Sequence, residues 1–418
     1  MLVNKKKDMT PFDMRRSPMK QKWYLMPLLW GGSWLMTRRF GLKIRKVNMK
    51  DFKPPYLVLS THQGFSDYYI APLALFPHRA GYVSDMEGFA AFGEWLYRAI
   101  GCIGKRRYVS DISVVKNIKE ALDKKQSVVI FPESRHSNVG TTAYLPENLG
   151  KLVKSMKVPL VMLSVHGSYL ANPFWDEEHT RRTSMEATLE GVYTLDEVLR
   201  VSAGEIQQTI EEKLQYDEYR WQKEQQLHIR ERNRAEGLHK ALYQCMACKS
   251  ENHMTSKGSQ LSCKKCGMQW QMTSLGTLVT EQVAMNDEKS EKKEIHIPDW
   301  YEWQRKEVIA RIEEGDYKAI YTVYVEALPN AKGFIPLGEG ILIHKPKGFY
   351  LEMGEEKLFF DHASRESVQT EYNYRKKGMA IVLSTRDCCY YIYSADVEFQ
   401  PTKLQFVGEY FYKNNKKI

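Results

Sequence analysis

A hydrophobic run long enough to cross a bilayer is missing from this sequence. The longest apolar stretch, Trp23 to Met36, is interrupted by Pro27, Gly31 and Gly32, and a spanning helix needs about 20 consecutive apolar residues. Nothing resembling a small-residue cleavage site follows it, which argues against a secretory signal. Cysteine is scarce, with seven residues in 418, and four of the seven stand as two close pairs. That usage suits metal ligation in a reducing cytosol and not a secreted disulfide framework. Acidic residues are nearly absent from residues 1–50, which hold 13 Lys/Arg against two Asp/Glu. The formal charge of +10 therefore arises entirely there, and the rest of the chain is balanced. No internal repeat is visible.

At 418 residues the chain exceeds what one ordinary core supports. Residues 1–50 read as a basic interfacial segment, with tryptophans at headgroup depth and basic flanks (Arg15, Arg16, Lys20, Lys22; Arg38, Arg39, Lys43) facing anionic lipid. The competing reading is a buried core helix. From 51 to 204, β-rich runs ("YLVLS", "SVVIFP", "VPLVMLSV") alternate with helical patterns such as "SVVKNIKEALDKK", which predicts an α/β domain. Residues 205–243 lack proline and are dense in Glu, Gln, Lys and Arg, which predicts one long, partly exposed helix. A four-cysteine segment follows at 244–284, a charged linker at 285–298, and a small, partly closed β-rich domain at 299–418.

The chemistry starts at "STHQGFSD". His62 and Asp67 would diverge by roughly 140° on a continuous helix, whereas a strand–turn–helix lets Gly64 make the turn and the carboxylate reach back to the imidazole. Such a carboxylate fixes the histidine tautomer and stabilises the imidazolium, making a general base for a substrate hydroxyl. Alone, the pair is more simply a capping aspartate beside a loop histidine. Two other segments change that weighing: "GCIGKRRY" gathers Lys105, Arg106 and Arg107, and "FPESRHS" carries Glu133, Arg135 and His136 after a strand. Ligands collect at strand ends in α/β domains, and cations there suit phosphate.

In order and spacing these blocks, with "VPLVMLSV" as the last, resemble the glycerolipid acyltransferases, the lysophosphatidic acid acyltransferases and their relatives, over roughly Leu25 to Ser168. The resemblance implies that His62 deprotonates an acceptor hydroxyl as it attacks an acyl thioester (acyl-coenzyme A or acyl carrier protein), with Asp67 orienting the ring. It also implies that Arg107 binds the acceptor's phosphate, Glu133 shapes the acceptor site, and Gly64 gives close backbone access. The acceptor implied is a lysophospholipid such as 1-acylglycerol-3-phosphate, at the cytoplasmic face of an anionic membrane surface where the protein is peripheral or monotopic. Two blocks depart from the family pattern. Ser134, Arg135 and His136 replace Gly, Thr and Arg, and Lys105 and Arg106 stand where an apolar residue and Asp are commoner. A rival reading is an inactive, lipid-binding adaptor that recruits partners through its distal segments.

Cys245, Cys248, Cys263 and Cys266 form C-x2-C-x14-C-x2-C, two knuckles that together supply four thiolates for a structural Zn2+ with no position open to a substrate. The segment resembles a zinc ribbon. Its few cations, Lys264 and Lys265, favour a structural or protein-contact role, and nucleic acid is not an expected partner.

Overall fold

The computed structural model describes residues 8–176, 178–281, 292–315 and 317–415. The run Leu57–Ser60 has no polar alternation, as a strand covered on both faces requires, and it forms the middle strand of a seven-stranded sheet. In chain order the strands are β1 (Lys43–Val47), β2 (Leu57–Ser60), β3 (Ala80–Asp85), β4 (Cys102–Lys105), β5 (Ser127–Ile130), β6 (Leu160–His166) and β7 (Glu186–Tyr193). Across the sheet they run β1-β7-β6-β2-β5-β3-β4, parallel throughout except for β6 against β7. The expected helix forms at Ile112–Asp123, buries Val114, Ile118, Ala121 and Leu122, and is capped by Asp111 accepting from the Ser113 amide. Beside it, Leu149, Val153, Ile206 and Ile210 complete one apolar layer.

The other face of the sheet carries a core shared with the far end of the chain. Leu328, Ala380, Val382, Cys389, Tyr391 and Tyr393 pack with Tyr56, Val58, Phe89 and Phe131. These residues come from an antiparallel seven-stranded sheet spanning 319–393, flanked by helices Ile297–Glu313 and Pro401–Asn415. That sheet is open. Among the described residues its end strands, Glu356–Asp361 and Gln369–Glu371, do not pair with each other, which corrects the expected partial closure. Its packing against the first sheet and the C-terminal helix buries what closure would otherwise have to hide.

The long helix expected at 205–243 is two short ones, Ala203–Lys213 and Glu218–Glu224, followed by irregular chain. Asp217 accepts from the Tyr219 and Arg220 amides and starts the second helix. Beyond it Ile229, Ala235, Leu238 and Leu242 are buried around the cysteine segment, so tertiary burial overrides a helix-favouring composition. The ribbon strands Met254–Lys257, Gln260–Cys263, Gln269–Met272, Leu278–Glu281 and Lys292–Ile295 form one antiparallel meander. Residues 285–291 of the expected linker lie outside the described residues. The remainder of that linker is a ribbon strand and, from Ile297, a helix, because Lys292–Ile295 pairs with Leu278–Glu281.

Near the N-terminus a single helix spans Met26–Thr37 and packs on the helix Asp67–Leu75, with the Trp30 ring 4.9 Å from Phe76. It buries Met26, Ser33 and Thr37 but leaves Leu28 and Trp34 exposed at 74% and 58%, with Trp23 of the preceding turn exposed at 73%, so it is not a buried core helix. No helix among the described residues is long and apolar enough to cross a membrane.

Candidate active site

After β2 the chain turns through His62–Ser66 and enters the helix Asp67–Leu75. Asp67 Oδ2 accepts from the amides of Gln63 (2.6 Å) and Gly64 (3.0 Å), so the carboxylate ties the turn together instead of capping the helix that follows. The same oxygen lies 3.5 Å from His62 Nδ1. His62 Nε2 points the other way, 3.5 Å from the Tyr68 hydroxyl, while the imidazole stacks on Phe131. Gly64 is needed for packing: a Cβ there would stand 3.3 Å from the Ser168 carbonyl and hydroxyl oxygens. That contact brings the residues after β6 onto the turn.

Both members of the pair are buried. Burial, reinforced by Arg107, pushes the imidazole down to about 3, so it is a neutral base. Burial pushes Asp67 up to about 6, against the pull of its amide donors. Glu133 lies behind the histidine and outside the cavity: Oε1 accepts from the His62 amide at 2.8 Å, and Oε2 accepts from the Ala143 amide (2.7 Å) and the Tyr216 hydroxyl (3.0 Å). It holds the backbone of His62 in place. His136 meets the His62 ring edge-on, with centroids 4.4 Å apart, and burial holds it neutral too.

The cations are placed differently from one another. Arg106 donates to the carbonyls of Pro329, Arg386 and Asp387, in loops that adjoin the strands of the C-terminal sheet. Arg135 donates to Gln405 and lies 3.5 Å from Glu409 in the C-terminal helix. In place of lining an acceptor site, these two residues dock the distal sheet and helix onto the α/β domain. That accounts physically for the departures from the family pattern at both positions. Lys105 and Arg107 remain beside the base. With His62, Tyr68, Asp85 and Ser134 they line a cavity of about 40 Å³. Lys105 donates to Ser134 Oγ at 2.9 Å. Arg107 is bound to Asp85 and lies 3.4 Å from Glu87 and 3.7 Å from Glu371. Burial opposes its charge, but Asp85 and Glu87 outweigh that and hold the proton firmly.

Sequence reasoning missed Tyr68, Asp85, Glu87, Tyr216, Glu218 and Glu371. Asp85 and Glu87 carried a signal, since "VSDMEG" ends a β-rich run in carboxylates. Glu218 was hidden in a segment whose composition suggested a solvated helix. Its carboxylate is buried and accepts from Gln63 Nε2 (2.9 Å), the Gly167 amide (2.7 Å) and His166 Nδ1 (2.8 Å).

The four ribbon cysteines place their Sγ atoms within 4.8 Å of one another, with Cys245–Cys266 at 3.7 Å and Cys248–Cys263 at 3.8 Å. Regular tetrahedral thiolate coordination of zinc at about 2.3 Å separates the sulfurs by about 3.8 Å, so this donor set fits the ion.

Residues 42–166 match the family model described as Acyltransferase. Among solved structures the chain is similar to the 1-acyl-sn-glycerophosphate acyltransferase PlsC of Thermotoga maritima, at 15% identity and a TM-score of 0.38, over 46% of this chain and 77% of that one. No curated protein matches the chain.

Proposed function

We propose that the protein transfers a fatty acyl group from an acyl thioester to the free hydroxyl of a glycerolipid acceptor at a membrane surface. The observation that carries this reading is the neutral His62, backed by Asp67 at 3.5 Å and opening through Nε2 onto a cavity within the acyltransferase domain. His62 Nε2 takes the hydroxyl proton as the acceptor oxygen attacks the thioester carbonyl. The tetrahedral adduct collapses to the ester, and the imidazolium returns the proton to the departing thiolate. Asp67, fixed by two amides, stabilises the imidazolium while it exists. The pair distance is long for a hydrogen bond, as is common before substrate closes a site.

The membrane reading is supported by position. The helix with exposed Leu28 and Trp34 packs directly on the helix that begins at Asp67, meeting it at Phe76, so the apolar surface is carried by an element that adjoins the site. Coenzyme A and acyl carrier protein thioesters are cytoplasmic, which puts the working face on that side. Zinc, where held by Cys245, Cys248, Cys263 and Cys266, supplies rigidity and no chemistry, because four thiolates leave it no open position.

The test is purified protein with a long-chain acyl thioester and single-chain glycerolipid acceptors, read as thiol release. Release that depends on acceptor and disappears in His62→Ala supports the transferase. Its absence with every acceptor and both donor types favours the inactive adaptor.

A further inference from the structure

We infer that the acceptor site beside His62 is built for a lipid whose polar end is uncharged and hydroxyl-bearing, and that Arg107 does not anchor a phosphate monoester. The inference rests on the transferase reading and deepens it.

The cavity next to the base contains two cations: Lys105, whose ammonium donates to Ser134 Oγ, and Arg107, which is answered by acids. Arg107 is bound to Asp85, has Glu87 at 3.4 Å and has Glu371 at 3.7 Å. Glu87 is further held by the Tyr391 hydroxyl at 2.6 Å. Carboxylates around these two cations therefore outnumber them. The third cation of the block, Arg106, is turned away onto backbone carbonyls.

A dianionic phosphate entering here would have to displace carboxylates from Arg107 and then face them across a buried, weakly screened site. Movement of the C-terminal sheet would not relieve this. Only Glu371 belongs to that sheet, whereas Asp85 and Glu87 lie at the end of β3 in the same domain as the base. What the cavity does offer is neutralised donors and acceptors side by side: the Lys105 ammonium, the Ser134 and Tyr68 hydroxyls and the Asp85 carboxylate. That mixture complements hydroxyl groups, which both donate and accept.

The experiment compares 1-acylglycerol with 1-acylglycerol-3-phosphate as acceptors for wild type and for Glu87→Gln/Glu371→Gln. We expect wild type to use the neutral acceptor with a kcat/KM at least about tenfold higher. In the double variant, with two carboxylates removed from Arg107, the phosphate acceptor should gain by about tenfold or more. Wild-type preference for the phosphate acceptor overturns the inference while leaving the transferase reading standing. If neither acceptor releases thiol, equilibrium binding of the same two lipids to wild type decides the acceptor class. Tighter binding of the neutral lipid upholds it, and equal or tighter binding of the phosphate lipid, or no binding of either, overturns it.

Discussion

Gln63 Nε2 donates at 2.9 Å to the carboxylate of Glu218, joining the turn that carries His62 to a helix outside the matched acyltransferase segment. Through Glu218 the turn is also linked to Gly167 and His166 at the end of β6. The turn is thereby braced from two directions, by Glu133 on the His62 amide and by Glu218 on the neighbouring side chain.

Glu218→Ala should consequently be damaging in two ways. It leaves buried donors on Gln63 and Gly167 without an acceptor, each costing about 1–3 kcal/mol, and it loosens the turn. We expect a lower unfolding midpoint together with a reduced kcat, and a milder loss in Glu218→Gln, which keeps an acceptor oxygen. Thermal unfolding and steady-state rates on the same preparations check this. An unchanged midpoint in the alanine variant contradicts the bracing role.

Replacing the base is the sharper perturbation. His62→Ala should reduce transfer by about 10²–10⁴-fold, the usual loss for a general base, with circular dichroism unchanged. Asp67→Asn should lose activity because the imidazolium is no longer stabilised.

Asp67 also sets an acid limit. Its carboxyl is held up at about 6, so it is charged above that pH and gains a proton as pH falls through it. Activity should fall on that side even though the neutral imidazole, held near 3, is still unprotonated. The sign for stability is opposite. Between an unfolded pKa near 3.8 and the folded value near 6, the folded chain holds a proton that the unfolded chain lacks, so this group's contribution rises as pH drops. The loss should therefore appear in the rate profile without unfolding, and Asp67→Asn should lack this acid limb.

Metal analysis should find one zinc per chain. Two of its ligands, Cys245 and Cys263, sit in a core that Trp270, Trp300 and Phe406 share with Tyr169 and Trp175 of the α/β domain. Chelation should consequently lower the unfolding temperature of the whole chain, with no direct effect on His62 chemistry. Four thiols that react freely in the native protein would contradict the site.

Deleting the N-terminal 40 residues should weaken binding to anionic vesicles. Substituting Leu28 and Trp34 by serine should weaken it through lost apolar contact with less change in charge. Polybasic attraction is screened within about 10 Å at 0.1 M salt, so vesicle binding should fall as salt rises. Co-sedimentation across a salt series reads both effects, and indifference to deletion and salt alike would rule out the interfacial role.

Local physics made much of this molecule legible in its sequence. Apolar runs gave strands β2, β5 and β6, the helical period gave Ile112–Asp123, and paired cysteine knuckles gave four converging sulfurs, because each depends on neighbours a few residues apart. Strands β3 and β4 were not read as strands, each being interrupted by a glycine, Gly81 and Gly104. The turn placing Asp67 beside His62 was likewise legible, since the two stand five positions apart and the carboxylate ties the intervening amides. Only the tertiary structure decided where the cations point. Lys105, Arg106, Arg107 and Arg135 look alike as a basic cluster, yet Arg106 answers carbonyls at 329, 386 and 387, Arg135 answers Glu409, and Arg107 answers Asp85, Glu87 and Glu371. A long flexible side chain has no preferred partner encoded in its own neighbourhood. Its direction is set by whichever opposite charge or carbonyl the folded chain brings within reach, and several of those partners lie more than 200 residues away.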